Sequence, residues 1–312
     1  MSTREFIALG TSSQAPTRER SHNSYLLRWD GAGFLFDPGE GTQRQMTLAG
    51  IGANSIHHIC ITHFHGDHCL GLAGIVQRLS LDRCQHPVHV FYPQSGQVFI
   101  ERLCSASIYL QQTELILHAV KPEPGGMVDL WHTDAYALKA HPLEHSVPTI
   151  GFRLEEAPGL SFVPEKLQLA GVQGPMVGEL RRCGRIQAGD RMVRLQDVTL
   201  PRRGNVCAFV MDTRPCLGAV ALARDADLLV MEATYTSEQQ DLAEFYFHTT
   251  AGEAAKTALE AGAHRLALTH FSQRYSDTGR HLAEAREIFG NVLVLNDLDR
   301  IAIPRRPGGR EG

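Results

Sequence analysis

Four potential metal ligands fall within six positions of one stretch, Thr62-His63-Phe64-His65-Gly66-Asp67-His68. Residues 56–61 before it form a short apolar-rich run that reads as a buried strand, and residues 70–76 after it open a helix. The ligands therefore belong to a loop between a strand and a helix. In an extended loop His63 and His65 share a side, because alternate side chains point the same way. Asp67 and His68 then turn toward a second point. One cation takes three or four such groups, so these four, with others from elsewhere, suit two adjacent cations. A merely solvated loop has no use for three histidines and an aspartate so close together.

A chain of 312 residues makes one large domain or two small ones. With 43% hydrophobic and 21% charged residues it is composed like a globular protein that buries a sizeable core. No basic region is followed by a long apolar run, and no stretch approaches the length of a membrane span. The expectation is a cytoplasmic protein without a membrane partner. Seven cysteines (60, 69, 84, 104, 183, 207 and 216) include no C-x-x-C pair and read as reduced thiols.

The net charge of −4 argues against an enzyme of nucleic acids, but its distribution does not. Between Pro164 and Asn205 stand Lys166, Arg181, Arg182, Arg185, Arg191, Arg194, Arg202 and Arg203 against Glu165, Glu179, Asp190 and Asp197. This segment is +4 and the remainder −8. A basic segment on an acidic body is either a phosphate-binding surface or a solvated face.

Along the chain, strands are expected at residues 5–9, 24–29 and 33–36, the last two about a turn at Asp30-Gly31. Residues 37–43 form a Gly-rich corner with Thr42 as N-cap of a helix to Leu48. Such a corner holds a phosphate on free backbone N–H groups or is an ordinary turn. Strand 87–92, helix 97–110 and strands 115–120, 135–140 and 149–154 follow. From 158 to 185, glycines and prolines interrupt every regular period, which predicts an insertion, an arm or a linker rather than a core element. Strands 205–211 and 227–231, helix 249–261 with a stop at Gly262, strand 265–269, helix 282–289 and strand 292–295 complete the pattern. The polar tail 305–312 is expected to be disordered.

Three further candidate ligands each follow an apolar strand: His145, Asp212 and His270. Polar groups converge at the carboxyl ends of strands in layered α/β folds. A lone histidine there is more often structural, but three such residues beside the 63–68 cluster reverse that balance. The other histidines lack such support and are read as structural. His141 lies near a ligand position but misses it.

The H-x-H-x-D-H pattern resembles the metallo-β-lactamase superfamily, and further stretches resemble its ribonuclease Z family. These are residues 36–46, Thr62–His68 with Gly71-Leu72, Met231-Glu232-Ala233-Thr234, Phe247-His248-Thr249-Thr250 and 269–275. The basic segment from Pro164 to Gly184, with Gly174-Pro175, is similar to that family's flexible exosite arm. The likeness runs to about Ile303. Two departures are Met211 in place of a glycine before Asp212, and His-Thr-Thr in place of His-Ser-Thr at 248–250.

The resemblance implies an α/β fold, a four-layer αβ/βα sandwich over residues 1–304 with an arm inserted at about 160–187. It implies a zinc-dependent endoribonuclease that removes the 3′ trailer from precursor tRNA, leaving a 3′-hydroxyl and a 5′-phosphate. His63, His65 and His145 would hold one metal and Asp67, His68 and His270 the other, bridged by Asp212. Two Zn²⁺ per subunit suit a thiolate-free set, with Mn²⁺ and Fe as alternatives. Asp67 is implied as general base, His248 as the acid for the departing 3′-oxygen, and Glu232 as its partner. Arg274 would steady the phosphate region. Lys166, Gly174, Pro175, Arg181 and Arg182 would grip the tRNA elbow, and the short family form implies a homodimer. A cyclic-nucleotide phosphodiesterase would need no basic arm, and a non-catalytic RNA-binding relative would be expected to have lost ligands.

Overall fold

The structure, a computed structural model, describes residues 4–121 and 126–306. It divides into two compact units. The larger comprises the chain up to His132, Ala137–Leu154 and Val206–Ile303, and the smaller comprises Thr133–Tyr136, Glu155–Asn205 and the residues after Ile303.

Two seven-stranded sheets build the larger unit. The first runs Arg300–Ala302, Arg4–Gly10, Ser24–Trp29, Ala32–Phe36, His58–Cys60, Val88–Pro93, Leu115–Val120. It is antiparallel as far as Ala32–Phe36 and parallel beyond. The second runs Val292–Val294, Leu266–Thr269, Leu228–Glu232, Val206–Val210, Thr149–Glu156, Tyr136–Leu143, Val128–His132. Its first four strands are parallel.

Alternation along each strand explains the layers. Ile7, Leu9, Leu26 and Leu35 join one apolar cluster with Met46 of helix Thr42–Leu48 and with Leu72, Ile75 and Leu79 of helix Leu72–Leu81. Their neighbours Phe6, Tyr25 and Phe36 face the other sheet, where the Phe36 and Phe209 rings stack with centroids 4.6 Å apart. In the second sheet Ala208 and Val210 join helices Leu217–Ala223, Ala251–Glu260 and Gly279–Arg286 in a further cluster. The result is helix, sheet, sheet, helix. Val206–Val210 is buried along its whole length, as a parallel strand covered on both faces must be.

Several elements differ from the sequence expectation. The helix expected over 97–110 ends at Cys104. Beyond it Ile108 is fully exposed, so an apolar residue there had marked no buried face. Thr42 does not cap its helix. The left-handed Gly41 is the N-cap, and the Thr42 hydroxyl donates to the Gly39 carbonyl at 2.7 Å. Strand Arg300–Ala302 was not expected, since three residues are too few to show a period.

The segment 158–185, expected to be an insertion, arm or linker without a core element, folds into short elements. Helices Pro164–Leu169 and Pro175–Cys183 each open on a proline in the first turn, where its missing N–H costs nothing. The second ends at left-handed Gly184, and a hairpin of Arg185–Ala188 and Arg191–Arg194 follows. Val172, Leu180, Ile186, Val193 and Val198 give this unit its own apolar cluster. The prolines and glycines thus delimit short elements rather than abolish them. Of the expected tail, residues 307–312 lie outside the described residues. Among the described residues no helix is long and apolar enough to cross a membrane.

Candidate metal centre

The ligands come from strand ends of both sheets. His63 and His65 follow strand His58–Cys60, and Asp67 and His68 fall in the short helix Gly66–Cys69. Asp212 follows Val206–Val210, and His270 directly follows Leu266–Thr269. Asp212 (φ 38°) and His270 (φ 63°) both take left-handed backbone conformations. Such conformations are strained for residues other than glycine and are held only where the surroundings over-determine them.

All seven candidate ligands converge in two groups. Nδ1 of His65 lies 3.0 Å from Nε2 of His63 and 3.3 Å from Nε2 of His145. Oδ2 of Asp67 lies 3.3 Å from Nε2 of His68 and 3.6 Å from Nε2 of His270. Asp212 stands between them. Its Oδ2 is 3.6 Å from His63 Nε2 and 3.7 Å from His145 Nε2, while its Oδ1 is 3.3 Å from His68 Nε2 and 3.0 Å from His270 Nε2.

The donor set fits divalent cations. Oδ1 of Asp212 and Nε2 of His270 are buried without a hydrogen-bond partner among the described residues, which is costly unless something electropositive satisfies them. Burial holds His63, His65 and His145 below the ordinary histidine pKa, so they are neutral donors. Burial also opposes a charge on His68, yet the carboxylates of Asp212, Asp67 and Asp37 outweigh it and raise that residue well above its usual value. The centre thus demands positive charge.

The far nitrogens of the His68, His145 and His270 imidazoles are also held, which fixes tautomer and ring orientation. Nδ1 of His68 donates to Oδ2 of Asp37 at 2.9 Å, Nδ1 of His145 to the Phe247 carbonyl at 3.0 Å, and Nδ1 of His270 pairs with the Thr234 hydroxyl at 2.7 Å. Asp37 in turn accepts from the Thr62 N–H and hydroxyl, each at 2.7 Å. The sequence reading missed Asp37, Thr62 and Thr234. It took 37–43 for a phosphate corner or a plain turn, whereas Asp37 turns its carboxylate onto His68. The corner backbone closes on Gly71, whose N–H donates to Pro38 O at 2.9 Å. A Cβ on Gly71 would fall 1.9 Å from the Gly39 carbonyl oxygen. A carboxylate at the end of the strand beside the ligand strand was the available signal.

Glu232, the last residue of its strand, is fully buried and accepts from His248 Nδ1 at 3.0 Å, Thr213 N–H at 2.7 Å, the Thr234 hydroxyl at 2.6 Å and Thr249 N–H at 3.2 Å. Burial pulls the His248 pKa down, but the charge of Glu232 and its hydrogen bond overcome that pull and leave it at about 9. Burial favours a neutral Glu232, and the same pairing holds it below the usual glutamate value. His248 and Arg274 line a cleft of about 760 Å³ together with His65, Asp67, His145 and Asp212. Lys166, Gly174, Pro175, Arg181 and Arg182 belong to the smaller unit, where Arg181 stacks over the Phe162 ring at 5.1 Å. His141, whose Nδ1 approaches the Pro142 carbonyl at 2.9 Å, takes no place among the metal-ligand groups.

The layered fold with a His/Asp centre at one end of its strands is that of the metallo-beta-lactamase superfamily, whose pattern matches residues 17–155. Ribonuclease Z of Nocardia farcinica is 50% identical over 308 residues, 98% of this chain and 100% of its own. Ribonuclease Z of Chlamydia trachomatis serovar L2 is 44% identical over 307 residues, again 98% and 100%. The crystal structure of human tRNase Z, short form, superposes with a TM-score of 0.71 at 27% identity, covering 96% of this chain and 99% of that one. The chain belongs to the ribonuclease Z family.

Proposed function

We infer that the chain is a metal-dependent tRNA 3′-processing endoribonuclease, hydrolysing one phosphodiester of precursor tRNA to leave a tRNA 3′-hydroxyl and a trailer 5′-phosphate. The observation that carries this reading is the buried Glu232–His248 pair beside the two ligand groups that Asp212 joins. A phosphodiester with an alkoxide leaving group needs both a cationic centre and a proton donor.

His63, His65 and His145 would hold one divalent cation and Asp67, His68 and His270 a second, with Asp212 shared. The imidazole-rich, thiolate-free donors favour zinc. When bound, the ions supply Lewis acidity at the phosphoryl oxygens and lower the pKa of water. Asp67 takes the proton from the attacking water. His248, its Nδ1 engaged by Glu232, gives the proton on Nε2 to the departing 3′-oxygen. Glu232 keeps the imidazole charged and aimed. Arg274 offers a guanidinium to the phosphate region of the cleft. Lys166, Gly174, Pro175, Arg181 and Arg182 contact the tRNA backbone away from the cut, where RNA is read by shape and phosphate. The chain acts in the cytoplasm as a homodimer in which the arm of one subunit serves the site of the other. A sedimentation measurement returning a monomer would remove the dimer from this reading.

The deciding experiment is cleavage of a 3′-extended precursor tRNA by the purified, metal-loaded protein, with both new ends mapped and Asp67→Ala as control. One cut at the tRNA 3′ end, absent in the variant, is expected. Failure of the intact, metal-bound protein to cut would overturn the assignment.

A further inference from the structure

We propose that Arg214 is a positioning residue for the proton donor, acting through Phe247. The inference rests on the reading of His248 as the acid and adds a residue to it.

Phe247 holds an unusual place. It ends helix Gln240–Tyr246 in a left-handed conformation (φ 60°, ψ 44°), which is strained for an aromatic residue. Its carbonyl accepts the hydrogen bond from Nδ1 of the ligand His145 at 3.0 Å, and the next residue is His248. One peptide unit therefore fixes both a metal ligand and the acid. A drift of Phe247 would move His248 relative to the ligand groups, and displacements on the order of 1 Å cost about 10²-fold in such reactions.

The guanidinium of Arg214 covers the Phe247 ring, with Cζ 3.9 Å from the centroid. Its Nη2 donates to the Glu244 carbonyl at 3.2 Å, in the last turn of the same helix. Nε is buried and meets no hydrogen-bond acceptor among the described residues, so among them the ring and that carbonyl hold the group. The backbone of Arg214 is itself anchored, its N–H donating to the Glu144 carbonyl at 2.9 Å, one residue before His145. Deeper in, the Thr249 hydroxyl donates to the Thr213 carbonyl, and Glu232 accepts from both Thr213 N–H and Thr249 N–H. The loop after Asp212 and the loop carrying His248 are thus joined on the inside by Glu232 and Thr249. On the outside they are joined by Arg214 on Phe247. A planar cation suits the ring face, and a lysine ammonium reproduces the charge without the plane.

The test compares Arg214→Met and Arg214→Lys with the wild type on two substrates, precursor tRNA and bis(p-nitrophenyl) phosphate. The first has an alkoxide leaving group that needs an acid; p-nitrophenolate leaves without one. Arg214→Met is expected to lose about 10-fold in kcat on tRNA, a part of the ~10²-fold or more that an acid supplies. Its KM and metal content are expected to hold, and its loss on the small substrate to be far smaller. Arg214→Lys recovers part of the tRNA rate. Equal losses on both substrates, lost metal, a rise in KM alone, or no loss at all would each overturn the role. His248→Ala separates the two readings. If that variant shows the leaving-group contrast and Arg214→Met does not, only the role of Arg214 fails. If His248→Ala shows no contrast, the acid assignment fails first.

Discussion

Oδ2 of Asp37 lies 2.9 Å from Nδ1 of His68, and neither side chain reaches solvent. That contact aims Nε2 of His68 at Asp67 and Asp212 and makes Asp37 part of the metal centre without being a ligand. Replacing it by asparagine keeps the shape and removes the charge. Metal affinity should fall about 10- to 100-fold, as for other outer partners of ligand histidines. Competition against a chromogenic chelator measures this, and an unchanged affinity would mean that His68 is oriented by something else.

His248→Ala should lose at least about 10²-fold in the rate of tRNA cleavage while retaining its metal. Elemental analysis beside single-turnover kinetics decides the point. If metal content falls along with the rate, His248 is a ligand.

The Glu232–His248 pair sets a pH limit. In the proposed reaction His248 serves as the acid only while protonated, and the charge of Glu232 and its hydrogen bond leave its pKa at about 9 against the pull of burial. The rate on tRNA should therefore decline as pH rises through about 9, and in Glu232→Gln it should decline at lower pH. Stability follows the same sign. A histidine raised above its unfolded value of about 6.5 contributes fully below that value and loses its contribution as pH climbs through about 9. A rate profile in Glu232→Gln identical to wild type would detach the carboxylate from the acid.

Removing residues 165–184 should weaken tRNA binding and spare hydrolysis of bis(p-nitrophenyl) phosphate. The segment carries Lys166, Arg181 and Arg182 on helices that share an apolar cluster of the smaller unit. Equal loss on both substrates would make the segment a structural part of the centre.

Phe209 stacks on Phe36 and lies against Phe6 and Tyr25 between the two sheets, 2% exposed. Phe209→Ala should cost about 3–5 kcal/mol, the range for an aromatic removed from a close-packed core. Denaturant unfolding reads it, and a loss under about 1 kcal/mol would show that the layers close around the gap.

The site was legible in the sequence because its ligands are chemically rare in such spacing and because each later one ends an apolar strand. Asp212 and His270 stood out by that rule only in company with the 63–68 cluster. Asp37 also ends an apolar strand and so carried that signal, but the role of Thr234 depends on a side chain from another strand. Thr234 meets both Glu232 and His270, 36 positions away. The layers themselves came only with the family resemblance, since residues 5–9 alternate poorly in sequence and the two faces separate only once Ile7 and Leu9 pack on helices and Phe6 on the other sheet. Strand Arg300–Ala302 carries too few residues for any period and exists through its pairing with Arg4–Gly10. The helices of 164–183 were hidden because proline and glycine read as breakers until their positions at helix starts and ends are known.

Glu232 accepts hydrogen bonds from three residues besides His248, namely Thr213, Thr234 and Thr249. In the proposed reaction, once the imidazole has given up its Nε2 proton, the carboxylate keeps its other donors and has no reason to take the Nδ1 proton in exchange. Its surroundings are already arranged for a negative charge, before and after the transfer. Between one cut and the next, the histidine needs only a proton from water to be ready again.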